Sequence, residues 1–242
     1  MITPGKGRIL TPDWVTGASW GHYGAVRLDH VSYAVSSSEL VSTVNRLGTL
    51  LGATFRDGGV HPRFGTRNFV LSLGNASYVE VVAPLDHPAT DSAPFGKAVK
   101  QRAEDGGGWL GWVVGVDDIT PWESRLGRDA ADGHRRRPDG FDLRWKQLGV
   151  LDLMADPQLP YFLQWLVDVE ERPSAGAPQT PCFERLEICG DRDAVLEWIG
   201  GSAENDPLED VKVDWVDSVD SDEDSGVVAV HFRTPNGTVR ID

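Results

Sequence analysis

The sequence predicts an α+β protein built from repeated βαβββ units. Residues 28–35 (LDHVSYAV) alternate between two faces, as the residues of a strand do. Apolar residues at helical spacing follow over 39–51, and two further strand-like runs cover 68–73 and 76–83. The same pattern then begins again with WLGWVVGV at 109–116. A near-repeat of this length indicates two similar modules.

The first module places two ionisable residues in otherwise apolar or small strand surroundings. His30 shares its strand face with Leu28, Ser32 and Ala34. Serines 36–38 are expected to cap the helix, and Gly52 to end it. In the last strand Glu80 lies opposite the valines that should pack on that helix. We therefore expect His30 and Glu80 to face away from the helix.

The rest of the chain divides by composition and by the recurrence of the pattern. Residues 85–108, rich in proline and glycine, are predicted to be a loop. The predicted organisation is an N-terminal extension at 1–27, a domain at 28–167 made of modules 28–84 and 109–167, a linker at 168–182, and a partial βαββ module at 183–242. Trp14, Trp20 and Tyr23 of the extension are expected to lie against the domain.

Charge excludes several classes of partner. The chain has 23 basic and 37 acidic residues, a net charge of −14 and a pI near 4.8. Nucleic acid and anionic membrane surfaces are poor partners for such a chain, and no apolar run approaches the ~20 residues of a membrane span. Cys182 and Cys189 point to opposite strand faces and cannot readily pair. Free thiols and the lack of a signal-peptide core indicate a cytoplasmic protein.

Several short blocks together resemble one known family. They are LDHVSYAV, GGVHPRFGTRN, SYVEVVAP, GWVVGVDD, RRRPDG, FDLRW and LPYFLQW. This set resembles the glyoxalase-like branch of the vicinal oxygen chelate superfamily. The resemblance implies that the paired modules form a half-open barrel around a divalent metal, with ligands from the first and last strand of each module. When this pattern is carried over to the present sequence, the resemblance implies that His30 and Glu80 are the first-module ligands.

The second module departs from that pattern. Trp112 aligns with His30 and cannot ligate a metal, whereas Gln164 aligns with Glu80 and can offer a carbonyl oxygen. His61, in the glycine-rich loop of the first module, is a second candidate for the additional metal ligand. The resemblance thus implies Zn, Mn or Fe held by His30 and Glu80, with Gln164 or His61 added, and the absence of a metal is the alternative.

Other residues are candidates for substrate contact or for a purely structural role. Arg67 and Arg137 border strands, where a guanidinium could clamp a carboxylate or phosphate; a solvated loop is the alternative. Trp112, Trp145 and Trp165 are expected in the core or in the lining of a ligand pocket. The acidic loop at 217–226 lacks the glycine and glutamate of a calcium-binding EF-hand, so we expect a solvated hairpin loop.

Three functions follow from the resemblance and stay open at this point. The first is a metal-dependent lyase, isomerase or dioxygenase that chelates vicinal oxygens of a small, acidic or aromatic metabolite, with Glu80 moving a proton. The second is a non-catalytic small-molecule binding protein of the bleomycin-resistance type. The third is a catalytically lapsed structural or regulatory homologue. A homodimer is compatible with each. Fold-level analogy warrants no particular reaction among them.

Overall fold

The structure, a computed structural model, describes residues 26–202, 204–208, 211–216 and 225–242. The predicted packing of Trp14, Trp20 and Tyr23 lies outside these residues, as does the acidic loop over 217–224. No helix among the described residues is long and apolar enough to cross a membrane.

The first module forms a strand, a helix and three strands. They are β1 (Arg27–Ala34), α1 (Leu40–Leu51), β2 (Arg56–His61), β3 (Thr66–Ser72) and β4 (Tyr78–Pro84). The α1 helix buries the apolar positions that its spacing predicts, and it ends at Gly52, which has φ of +64°. The serines do not cap it as expected. The N-cap is Glu39, which makes no side-chain cap bond, and the Ser36 hydroxyl donates to the Glu39 carboxylate instead.

The segment between the modules is helical, so the loop prediction for 85–108 is wrong. It contains α2 (Pro88–Ser92) and α3 (Pro94–Glu104), each of which starts with a proline. Proline is favourable at the first helical position because its fixed φ suits the helix and its missing N–H needs no partner there. Phe95 and Val99 of α3 pack with inward-facing residues of the sheet such as Val82. The α3 helix therefore covers the interior of the sheet.

The second module pairs with the first through a long seam. It consists of β5 (Gly108–Gly115), α4 (Thr120–Leu126), β6 (Ala131–Arg136), β7 (Asp142–Leu148), α5 (Val150–Ala155) and β8 (Tyr161–Trp165). Strands β1 and β5 are antiparallel and share seven residue pairs. On the other side, β2 and β6 meet at the single pair Val60 and Arg136. The eight strands thus close into a barrel, in the order β1-β4-β3-β2-β6-β7-β8-β5.

The C-terminal residues form a second sheet against the outside of the barrel. Its elements are β9 (Cys182–Cys189), α6 (Arg192–Trp198), β10 (Val213–Val216), β11 (Gly226–Thr234) and β12 (Gly237–Ile241), with strand order β10-β9-β11-β12. The indole N–H of Trp109 donates to the Ile241 carbonyl at 2.9 Å. The predicted α+β class with paired modules and an additional C-terminal unit is therefore confirmed, whereas the domain boundaries stay predictions.

Candidate functional site

The interior of the barrel holds a small, narrow cavity lined by polar and aromatic side chains. Its volume is about 20 Å³, which is room for about one water molecule. The lining residues are His30, His61, Phe64, Asn68, Tyr78, Glu80, Phe95, Arg135, Trp145, Gln147, Tyr161, Leu163 and Trp165. Both modules contribute to this lining.

Strand alternation and one bulge place the ionisable groups inside. In β4, Val79 and Val81 pack in the core under α1, so Glu80 between them points into the barrel. The pairing of β1 with β5 shifts register between Leu28 and His30. A bulge re-aims the side chains beside it, and both Asp29 and His30 are buried. The structure thus places Asp29, like His30, in the interior.

Glu80 is buried and hydrogen-bonded at both carboxylate oxygens. Ser32 Oγ donates to Oε2 at 2.8 Å, and Asn68 Nδ2 donates to Oε1 at 2.5 Å. His30 Nε2 lies 3.9 Å from Oε2. Burial alone raises the pKa of Glu80, but His30, His61 and the two hydrogen bonds outweigh it and hold the pKa below its usual value. Glu80 is therefore a carboxylate at neutral pH.

His30 is fixed in orientation by partners from both modules. Its Nδ1 lies 2.8 Å from Asp29 Oδ1, and its Nε2 lies 3.3 Å from the Tyr161 hydroxyl. Its ring stacks on that of Tyr78, with centroids 4.4 Å apart. The second oxygen of Asp29 accepts a hydrogen bond from Trp165 Nε1 at 2.8 Å. The imidazole therefore lies between the Asp29 carboxylate and a phenol.

Two buried phenols remain protonated in this environment. Burial, together with the Asp29 and Glu80 carboxylates, raises the pKa of Tyr78 and of Tyr161 well above the usual value for tyrosine. Each can therefore act as an O–H donor at neutral pH. Tyr161 already lies beside His30.

His61 lies in an aromatic part of the cavity and is neutral. Its Nδ1 is 2.9 Å from Thr66 Oγ1, and the rings of Phe64, Phe95 and Trp145 surround it edge-on. Burial lowers the pKa of His61 to about 4. The residue can therefore accept or donate a hydrogen bond at neutral pH without carrying a charge.

The structure brings five of the nine predicted site residues together and leaves four elsewhere. His30, His61, Glu80, Trp145 and Trp165 line the cavity. Gln164 faces outward, because Tyr161, Leu163 and Trp165 occupy the inward positions of β8. Its side chain bonds to the backbone N–H of Ile119 and the carbonyl of Asp117. It is thus not among the groups around Glu80.

The other three candidates are also engaged outside the cavity. Trp112 is fully buried in the outer core, where its Nε1 donates to the Gln158 carbonyl. Arg67 pairs with Asp57 at 3.1 Å. Arg137 pairs with Asp139 at 2.9 Å and with Glu171 at 2.8 Å. Neighbouring carboxylates thus occupy the two arginines that we considered as substrate clamps.

The sequence reasoning missed several residues of the interior. They are Asp29, Asn68, Tyr78, Arg135, Gln147 and Tyr161. The period-two alternation of β8 would have identified Tyr161, had its register been set one residue from Gln164. Arg135 carries no such signal, because it lies in a run of three arginines.

The donor set does not fit a divalent metal. Within the described residues no three or more His, Cys, Asp or Glu side chains are placed to hold one. His30 and Glu80 are close, but both His30 nitrogens and both Glu80 oxygens already have protein partners. Stable protein metal sites usually have three or four protein ligands.

Comparison with known proteins identifies the family. Residues 28–204, more than half of the chain, match the model of the glyoxalase-like domain. The chain belongs to that family, which confirms the resemblance seen in the sequence. No curated protein matches the chain in sequence.

Solved structures are similar to this chain at low sequence identity. A hypothetical protein from Staphylococcus aureus has a TM-score of 0.52 at 13% identity, over 90% of this chain and 86% of that one. Methylmalonyl-CoA epimerase from Mycobacterium tuberculosis has a TM-score of 0.40 at 20% identity, over 57% and 85%. The Streptomyces coelicolor epimerase, in complex with 2-nitronate-propionyl-CoA, has a TM-score of 0.40 at 20% identity, over 59% and 94%.

Proposed function

We propose that the barrel interior is an enzyme active site in which Glu80 moves a proton at the carbon next to a carbonyl of a small oxygenated metabolite. The observation that carries this proposal is a buried carboxylate beside protonated phenols in one enclosed interior. Buried ion pairs are often no more stabilising than apolar side chains of similar volume. Their presence here therefore supports a chemical role.

In this proposal Glu80 is the general base. Its lowered pKa keeps it in the proton-accepting form at neutral pH. Removal of a proton next to a carbonyl leaves negative charge on the carbonyl oxygen, and an O–H donor in a dry site stabilises that charge. The Tyr161 and Tyr78 hydroxyls are suited to this, since both phenols stay protonated.

His30 is a positioning residue in this scheme and links the base to a phenol. It lies 3.9 Å from Glu80 Oε2 and 3.3 Å from the Tyr161 oxygen, and Asp29 holds its other nitrogen. A proton can pass along such a chain of neighbouring groups without bulk water. The scheme assigns no step to a metal, because the donor set does not fit one.

Access requires part of the barrel wall to move. The cavity has room for about one water, so a substrate enters only when the interior opens. The α3 helix covers one side through Phe95 and Val99. The β2–β6 seam is the wall with a single residue pair. We therefore propose that the enzyme opens before it binds its substrate.

The test is carbon-bound proton exchange in heavy water. A panel of small 2-oxo and 1,3-dicarbonyl acids is incubated with the full chain, and proton NMR records loss of the C–H signal next to the carbonyl. Glu80→Gln should slow exchange by about 100-fold or more, because a general base contributes about that factor. Glu104→Gln, an exposed carboxylate on α3, is the matched control and should leave exchange unchanged.

Two other results of the exchange experiment would change the proposed function. Equal exchange in the wild type and Glu80→Gln, on substrates that the chain does turn over, would contradict the assignment of the base. Binding of a panel member with no exchange at all would make the chain a small-molecule binding protein.

The location and the partners are part of the proposal. We propose a small-molecule ligand and a cytoplasmic protein, with a homodimer as its possible assembly. The buried free thiols of Cys182 and Cys189 support a reducing compartment.

A further inference from the structure

Arg135 is a buried cation without a carboxylate partner in the described part of the chain. Arg135 is only 3% exposed. Nη1 donates to Asn68 Oδ1 at 2.8 Å, a neutral amide oxygen. No Asp or Glu oxygen of the described residues lies within ion-pair distance of it. A guanidinium cannot lose its charge at physiological pH, and burying an unpaired charge is unfavourable.

Arg135 also lines a cleft that opens outside the β2–β6 seam. This cleft, which we call the seam cleft, has a volume of about 270 Å³. Its lining residues include Arg56 and Gly58 of β2, Arg135 of β6, and Pro173. The guanidinium thus lies between the narrow interior cavity and a cleft large enough for a small organic molecule.

A second arginine in the seam cleft has no carboxylate partner among the described residues. The Nη2 group of Arg56 donates to the Pro173 carbonyl, which is neutral. Burial and then the nearby Arg137 charge lower the pKa of Arg56. Burial, Arg56 and Arg137 likewise lower the pKa of Arg135, while Tyr78 and Glu80 raise it. The positive charges of Arg56, Arg135 and Arg137 therefore lie close together in the seam cleft.

The acidic residues of the cleft are each engaged by other groups. Asp57 pairs with Arg67 at 3.1 Å and accepts from the Gly59 N–H at 2.9 Å. Asp139 and Glu171 both pair with Arg137. Among the described residues, Arg56 and Arg135 each make one side-chain hydrogen bond, which leaves their other N–H donors available to a ligand.

We propose that the seam cleft binds an anionic oxygen group, a carboxylate or a phosphate, through Arg135 and Arg56. The forked guanidinium donors match the oxygens of either group, and their hydrogen bonds to an anion are the strong, charge-assisted kind. The incoming anion supplies the negative charge that the described residues around Arg135 lack. An organic molecule that carries such a group would be anchored at the seam through which the interior can open.

This inference deepens the proposed function and rests on it for the identity of the substrate. Asn68 connects the two sites, since it accepts from Arg135 and donates to Glu80 Oε1 at 2.5 Å. Gly58 leaves room for that link, because a Cβ there would collide with Asn68 Oδ1 and Arg135 Nη1. The substrate class is therefore a carbonyl compound that bears a carboxylate or phosphate.

The experiment is a titration of the full chain with inorganic phosphate and, separately, with malonate, at constant ionic strength in chloride, followed by calorimetry. We expect saturable binding of one anion per chain. Arg135→Gln and Arg56→Gln should each weaken it about tenfold or more, the loss expected for a charged hydrogen bond. Arg136→Gln is the matched control: it removes the same charge one residue along β6, where the side chain is exposed, and should change affinity less than about twofold.

Two further comparisons sharpen the result. The tighter of the two anions identifies whether the cleft prefers phosphate or carboxylate. Glu80→Gln should tighten anion binding a few-fold, because it removes the negative charge that acts on Arg135, while it slows proton exchange about 100-fold or more. An effect of opposite sign on binding and on exchange is not expected from a variant that merely disturbs the fold.

The inference would be overturned by the absence of saturable binding of either anion. Equal losses in the Arg56, Arg135 and Arg136 variants would also overturn it, since they would reflect overall charge. Should Arg135→Gln fail to fold, the exposed Arg56 still decides the question. Anion binding without Glu80-dependent proton exchange would contradict the proposed function alone. Glu80-dependent exchange without anion binding would contradict only the proposed anion site in the seam cleft.

Discussion

The interiors of the two modules differ in what their inward-facing side chains supply. The first module contributes the acids and imidazoles Asp29, His30, His61 and Glu80. The second module contributes donors: Trp165 to Asp29, the Tyr161 hydroxyl beside His30, and Arg135 to Asn68. The second module thus holds the groups of the first in place. Buried charges persist only when they are hydrogen-bonded or paired, so the burial of Asp29 depends in part on the Trp165 donor of the second module.

Removing the carboxylate that joins the two interiors should have the largest effect on stability. Asp29→Ala leaves His30 Nδ1 and Trp165 Nε1 without their shared partner. We expect a loss of about 3 kcal/mol or more in the free energy of unfolding, measured by urea denaturation. Asp117→Ala, which removes an exposed pair with Arg27, is the control and should cost below about 1 kcal/mol. Equal losses would contradict the shared-partner interpretation.

The neutral His61 should make the protein sensitive to acid. Its pKa falls from 6.5 in the unfolded chain to about 4 in the folded one, so the unfolded state binds more protons between these values. Stability should therefore decline as the pH falls through this window, by up to about 3 kcal/mol. His61→Leu should flatten this decline, in spite of its own cost at neutral pH from the unpaired Thr66 hydroxyl.

Urea denaturation at neutral pH and near pH 5 measures the effect. The surface variant His87→Asn, which can keep the cap of α2, is the matched control and should retain the wild-type decline. An unchanged decline in His61→Leu would show that another group is responsible.

Two tryptophan variants within the second module should differ in cost because their acceptors differ. Trp165 donates to the Asp29 carboxylate, whereas Trp145 donates to the neutral Gln147 amide, both at 2.8 Å. Trp165→Phe should cost about 2 kcal/mol and Trp145→Phe about 1 kcal/mol, because hydrogen bonds to charged groups are the stronger. The same urea experiment compares them. A larger loss for Trp145→Phe would contradict the view that the carboxylate sets the cost.

The smallest effect should come from Gln164, the second-module residue that aligns with Glu80. Its side chain bonds to backbone groups near the start of α4. Gln164→Ala should lower stability by below about 1 kcal/mol and leave proton exchange unchanged. A loss of exchange comparable to that of Glu80→Gln would place Gln164 at the site after all.

A metal titration tests whether the first-module donors bind a metal when the second module supplies no ligand. With two candidate donors, both bonded to protein groups, added Mn²⁺ or Zn²⁺ should not bind stoichiometrically or raise the melting temperature. Tight binding of one metal per chain, lost in both His30→Ala and Glu80→Ala, would contradict this expectation.

Sequence periodicity was sufficient for the fold and for His30 and Glu80 of the candidate site. Alternation placed His30 and Glu80 on one side of the sheet, and the recurrence of the pattern indicated the second module. The helices α2 and α3 were missed because their prolines suggested a loop, although proline is favourable at the first helical position.

Most of the other residues of the candidate site were not predicted from the sequence, for two physical reasons. A register error of one residue in a strand exchanges its two faces, so Gln164 was chosen in place of Tyr161. Asp29 was missed because a bulge in β1 moves it inward, and a bulge leaves no periodic trace. The roles of Arg135 and Arg56 depend on which carboxylates lie near them, and only the assembled barrel determines that.

The ionisation of Glu80 tests the account most directly. Carbon NMR of the chain labelled in its glutamate carboxyl groups, assigned by comparison with Glu80→Gln, follows this carboxyl as the pH falls. We predict that Glu80 remains ionised to lower pH than an ordinary glutamate, and that Asn68→Ala, which removes one of its donors, raises the pKa of Glu80. A Glu80 that takes up its proton at or above the ordinary range would contradict this prediction.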